Sequence, residues 1–153
     1  IRTRYFGWKV GTKQYDLVSD LSITAGSRLT KHEILIKGAP ENLCTGLAKH
    51  EDTKIFQSTN LDGKWAYFAL YGKQSLAGDN LGTAILFRKT DLIRITEDEL
   101  SHVVLLKPEN GRLTYYFLAA WEQEPNGIRT QEKFLEYLNQ SIKKLNNPIQ
   151  VKY

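Results

Sequence analysis

Residues 14–38 read "QYDLVSDLSITAGSRLTKHEILIKG", and the period of two in their side chains sets the architecture. Tyr15, Leu17, Leu21, Ile23 and Ala25 share one parity, while Gln14, Asp16, Asp20, Ser22 and Thr24 share the other. Such alternation marks a strand with one face buried and one in water. Ala25, Gly26 and Ser27 make a turn. The next run places His32, Ile34 and Ile36 on one face and Lys31, Glu33 and Lys37 on the other. The two runs form an antiparallel hairpin.

The same pattern spreads outward. "IRTRYFGWKV" at the start reads as a strand, and further strands are predicted over 43–50, 53–59, 64–70, 82–88, 101–107 and 113–121. Turn-rich pieces join them: "GAPEN", "NLDGK", "YGKQSLAGDN" and "KPENGR". Gly63 and Gly111 stand where hairpin turns need a positive φ. In "RTQEKFLEYLNQSIKKLNNP" the period changes, with Phe134, Leu135, Leu138, Ile142 and Leu145 forming the apolar stripe of a helix. Thr130 suits its N-cap, Glu132 its positive end, Lys143 and Lys144 its negative end, and Pro148 stops it. "PIQVKY" is expected to return as a last strand. Short antiparallel strands in series predict a mainly β protein, an antiparallel β-sandwich with one C-terminal helix packed on a sheet. No repeat, low-complexity segment or linker divides the chain, so residues 1–153 form one domain.

With 153 residues, 41% of them apolar and 25% charged, the chain is long enough to bury a real core. No run approaches the roughly 20 apolar residues that span a bilayer, so no membrane span is expected. The net charge is +4, and the 21 Lys and Arg are scattered, unlike the basic blocks that hold nucleic acid. The chain has no Met and begins at Ile1, which fits the C-terminal portion of a longer protein. Its single cysteine, Cys44, allows no internal disulfide or Cys-based metal site and reads as a small buried hydrophobe in "NLCTGLA".

His32, His50 and His102 are the histidines, and none pairs at metal-ligand spacing, so no metal ligands are assigned and the cofactor is unknown. Lys49, His50, Glu51 and Asp52 crowd one strand end. They read either as a solvated turn or as a proton-transfer site with Lys49 holding an anion. His32, among isoleucines, reads as a buried, hydrogen-bonded histidine. His102 begins an apolar strand and can point either way. Tyr115, Phe117 and Trp121 share one face of their strand, and Thr114, Tyr116 and Leu118 the other. Trp65, Tyr67 and Ala69 likewise oppose Ala66, Phe68 and Leu70. One set of each is core, and the other can stack on sugar rings. No G-x-S-x-G elbow, phosphate loop or dinucleotide fingerprint is present, while a Ser-His-Asp arrangement, assembled in space, stays open.

The segments "IRTRYFGWKV…LSITAGSRLTKHEI", "GLAKHED", "LGTAILF…ITEDELSHVVLLKPENGRLTYYFLAAWEQ" and "FLEYLNQSIKKLNNPIQVKY", in that order, resemble a family of bacterial proteins long labelled a domain of unknown function. Members are typical of Bacteroidota polysaccharide-utilisation loci, beside hydrolases of unsaturated uronyl sugars. The resemblance covers nearly all of this chain and the C-terminal part of the longer family proteins. It implies a supersandwich-like fold related to mutarotases and polysaccharide lyases. It also implies a periplasmic or cell-surface protein acting on uronate-containing oligosaccharides, as the related ulvan oligosaccharide dehydratase does. Lys49 and His50 match the family's G-x-x-K-H run, and Tyr115, Tyr116 and Trp121 its T-Y-Y-F-x-x-x-W strand. The implied chemistry removes water from a terminal uronic acid. His50 or a Tyr is the base, Lys49 or an Arg steadies the enolate-like charge, and Tyr116 or His102 is the acid. Trp65, Tyr67, Tyr115 and Trp121 would bind the sugar. The rivals are a non-catalytic carbohydrate-binding sandwich and a structural half whose chemistry, and partner, is the N-terminal remainder of its own chain.

Overall fold

The computed structural model describes residues 1–59 and 61–149. Alternation in 14–38 produces the expected hairpin. β2 (Lys13–Ile23) and β3 (Thr30–Lys37) pair antiparallel with Leu21 opposite His32 and Ile23 opposite Thr30. β1 (Arg2–Val10) adds to the outer edge of β2, with a bulge between Tyr5 and Trp8. The chain then builds β4 (Leu43–Ala48), β5 (Thr53–Gln57), β6 (Trp65–Lys73), β7 (Asn80–Arg88), β8 (Leu92–Glu97), β9 (Ser101–Leu106), β10 (Arg112–Trp121) and the helix α1 (Gln131–Asn146). A seven-stranded sheet runs in the order β1-β2-β3-β10-β7-β6-β5, and a three-stranded sheet in the order β4-β9-β8.

Both faces of the large sheet's centre are covered, and the sequence of β6 carries the reason. "WAYFALYGK" is apolar at every position from Trp65 to Tyr71, and all seven residues are buried. Trp65, Tyr67, Ala69 and Tyr71 face α1 and pack with Leu118, Ala120, Phe134 and Leu138. Ala66, Phe68 and Leu70 face the small sheet and pack with Ile85, Phe87, Val104 and Leu106. The protein is therefore a sandwich of antiparallel sheets backed by a helix, with one core on each side of the large sheet. Phe134 lies against the sheet because Gly82 has no side chain, and a Cβ there would sit 2.4 Å from the ring.

The helix begins and ends on its sequence signals. The Thr130 side chain accepts from the Lys133 N–H at 3.3 Å, and Lys143 and Lys144 occupy the last turn. Gly63 and Gly111 take the positive φ angles expected of them, 104° and 73°. Three expectations need amendment. β8 follows a short 3₁₀ turn at Lys89–Asp91 and escapes the reading because it is a short edge strand between charged residues. Cys44 is exposed, since Leu43 and Thr45 are the inward residues of β4 and Cys44 alternates outward. The tail strand expected after Pro148 runs onto residues 150–153, outside the described residues.

The small sheet does not cover the whole large one. β1 is an edge strand of the large sheet and keeps Tyr5, Phe6, Trp8 and Val10 exposed.

Candidate functional site

The inward face of β2 is apolar except at Ser19, and that exception builds the site. His32 stands on β3 opposite Leu21, and Tyr115 on β10 stands opposite His32, so three adjacent strands bring Ser19, His32 and Tyr115 together. Ser19 Oγ lies 2.7 Å from His32 Nε2, and the Tyr115 hydroxyl lies 2.7 Å from His32 Nδ1. The rings of His32 and Tyr115 meet edge to face with centroids 4.9 Å apart. Burial lowers the His32 pKa below 6.5, which keeps the imidazole neutral at neutral pH. Burial raises the Tyr115 phenol above 10, and the Thr45 hydroxyl of β4 partly offsets that rise. A neutral imidazole has one donor and one acceptor nitrogen. Tyr115 can thus donate to Nδ1 while Nε2–H donates to Ser19, or Ser19 can donate to Nε2 while Nδ1–H donates to Tyr115. The three side chains form a hydrogen-bonded relay whose donor and acceptor roles can run in either direction.

The relay borders two cavities under the edge strand β4. An open groove of about 810 Å³ lies along Leu21, Ile23, Thr83 and Phe117, with Arg28 and Glu124 in its lining. A smaller chamber of about 240 Å³ shares His32, Thr45 and Tyr115 with the groove. Tyr5 and Trp8 both reach this chamber because the β1 bulge resets the alternation between them. Arg28 donates from Nε to Glu124 at 2.5 Å and from Nη2 to the Asn126 carbonyl at 2.9 Å. Its guanidinium also sits 5.3 Å from the centre of the Tyr137 ring.

The residues singled out in the sequence separate into five places. Tyr115 is in the relay. Tyr116, its neighbour, points to the opposite face and packs edge-on against Trp65 with centroids 5.3 Å apart. The large sheet stands between Tyr116 and any group on the groove side. Trp65 and Tyr67, 8% and 5% exposed, lie in the core beneath α1 and offer no free ring face to a sugar. Trp121 is 39% exposed, and its indole N–H donates to Asp79 at 2.7 Å.

Lys49 and His102 do come together, both beside Glu97 Oε2, at 3.2 Å and 3.4 Å. His50 lies on the exposed turn after β4, where its carbonyl accepts from the Thr53 hydroxyl at 2.7 Å, and among the described residues its side chain has no bonding partner. Among the described residues no three His, Cys, Asp or Glu side chains converge as a metal cluster. No helix among them is long and apolar enough to cross a membrane. Sequence reasoning missed Ser19 and Thr45 as site groups and read His32 only as a buried, bonded histidine. The available signal was a polar side chain on an apolar parity, present at both Ser19 and His32.

No curated protein and no solved structure gives a significant match. The model of one family does match, that described as "Domain of unknown function (DUF4861)", over residues 1–151. With nearly its whole length matched, the chain belongs to that family.

Proposed function

We propose that the protein acts on uronate-containing oligosaccharides in the groove beside His32 and Tyr115, eliminating water from a terminal uronic acid. The observation that carries this reading is the 2.7 Å contact between His32 Nδ1 and the Tyr115 hydroxyl on the border of an open cavity of about 810 Å³. The reaction breaks C5–H and C4–O, forms the C4=C5 double bond and releases one water. A neutral His32 takes the C5 proton, and the Tyr115 phenol, held neutral by burial, protonates the departing C4 hydroxyl. The proton then passes from His32 to Tyr115 across their contact, and the pair ends as it began. Arg28, with Nε and Nη2 engaged, keeps Nη1 for the substrate carboxylate and the enolate-like charge it develops. His32, Tyr115 and Arg28 thereby take the roles that the resemblance allots to His50 or a Tyr, to Tyr116 or His102, and to Lys49 or an Arg. A protein with this chemistry meets its oligosaccharide in the periplasm or at the cell surface.

The test is incubation with uronate-terminated oligosaccharides while ultraviolet absorbance follows the conjugated double bond. His32→Ala and Tyr115→Phe should each slow the reaction by about 10²–10⁴-fold. Absence of any unsaturated product, or wild-type turnover by His32→Ala, ends the reading. One observation favours a non-catalytic module instead: both ring nitrogens of His32 are already occupied within the protein. Calorimetric binding of the same oligosaccharides without turnover would establish that alternative.

A further inference from the structure

Alternation along β10 places Tyr115, Phe117, Ala119 and Trp121 on one face, with Thr83 and Leu81 of β7 opposite Ala119 and Trp121. From Tyr115 to Trp121 is six strand positions, about 20 Å at the rise of an extended chain, which is longer than one sugar ring. Phe117, Ala119 and Trp121 are all exposed, so the strip from the relay to the end of the strand is open to solvent. It ends in a third cavity, of about 610 Å³, lined by Trp121, Leu81 and the loop residues Gln74, Ser75, Leu76 and Ala77.

Trp121 is not a loose surface ring. Its indole N–H is fixed on Asp79, and Asp79 is fixed in turn by the Ser75 hydroxyl, which also accepts from the Asp79 and Ala77 N–H groups at 3.1 Å and 3.2 Å. A large apolar ring held in one orientation, yet 39% exposed, is prepared for a ligand before the ligand arrives. Its chemistry selects the class. An indole face accepts the C–H side of a sugar ring, and the carboxylate at the ring's N–H edge can accept a sugar hydroxyl. The same carboxylate repels a uronate.

We propose that Trp121 and Asp79 form a remote subsite for a neutral sugar ring of the chain whose acidic end lies at His32 and Tyr115. The proposal rests on the function argued above and adds a determinant of chain length to it. The groove end, with Arg28, takes the negative terminus, and the Trp121 end takes an uncharged interior ring.

The experiment is calorimetry on the intact protein with two oligosaccharides ending in glucuronic acid, one of two rings and one of six with neutral interior sugars. The six-ring chain should bind about tenfold more tightly, the worth of burying part of one more ring. Trp121→Ala should remove that advantage and leave two-ring binding unchanged, and Trp121→Phe should restore part of it. Retention of the length dependence in Trp121→Ala overturns the subsite even if unsaturated product forms. Trp121-dependent length selection without unsaturated product leaves the subsite standing and removes only the elimination chemistry. Failure of both oligosaccharides to bind removes both. An oligomer in sedimentation that dissociates in Trp121→Ala, with sugar binding unaltered, would make the surface an interface between copies and overturn the proposal.

Discussion

Tyr71 and Tyr115 each carry a hydroxyl into a core, one beneath the helix and one beneath the small sheet. The Tyr71 hydroxyl is buried without a hydrogen-bond partner among the described residues, whereas the Tyr115 hydroxyl meets His32. An unpartnered buried hydroxyl costs desolvation with nothing returned, so Tyr71→Phe should raise stability by about 1 kcal/mol in chemical denaturation. Tyr115→Phe should lower it by about 1–3 kcal/mol, because it strands a ring nitrogen of His32. The pH dependence follows from the lowered His32 pKa. Above pH 6.5 the imidazole is neutral folded and unfolded, and its contribution is fully present. As pH falls below 6.5, toward the lower folded value, the unfolded chain binds the proton first and stability drops. Thermal melts from pH 7.5 to 5 should show this loss, and His32→Gln should reduce it. In the sequence, Tyr71 and Tyr115 look alike, since a phenol on an apolar parity announces burial and not its partner. Ser19 completes the relay by standing diagonally across from His32, a relation that exists only once the register of β2 on β3 is set.

Elements were more legible than contacts. The hairpin of β2 and β3 follows from parity and turn residues alone, and α1 from its stripe and Thr130 cap. The apolar runs of β6 and β7 belong to strands covered on both faces, whereas parity alone leaves one face of β6 free to meet a sugar. That α1 packs on a sheet was legible from its apolar stripe; which strands it covers, and that three separated segments form the small sheet over the other face, were not. The fit of α1 on β7 is tight enough to test. Gly82→Ala should destabilise by about 1–3 kcal/mol, the range for overpacking a core. Combined with Phe134→Leu it should cost less than the sum of the single changes, as measured by a double-mutant denaturation cycle. Additivity would mean that Phe134 does not press on Gly82. β8 was hidden for a different reason. An edge strand with one neighbour has little need of an apolar run, and "LIRITE" carries none.

Across the molecule, Arg28 ties the β2–β3 turn to the segment after β10 by bonds spanning 96 and 98 residues, to Glu124 and Asn126. Its own N–H also donates to the Tyr137 hydroxyl on α1 at 3.1 Å. Arg28→Ala should cost about 1–2 kcal/mol, with the partial exposure of the pair reducing the value of a charge-assisted bond. Amide hydrogen exchange should then speed up selectively in the β2–β3 turn and after Trp121. The strand order of the large sheet has a consequence of its own. β10, the last strand in chain order among the described residues, lies between β3 and β7 and joins two ribbons that are otherwise unconnected within that sheet. A nascent chain halted before residue 112 would hold β1-β2-β3 and β5-β6-β7 as separate meanders, each with a bare hydrogen-bonding margin facing the vacancy. Assembly of this sheet must therefore await the synthesis of β10, and refolding should be slow for so many non-local strand pairings. Any stray extended peptide able to occupy the slot of β10 would act as a poison for the process.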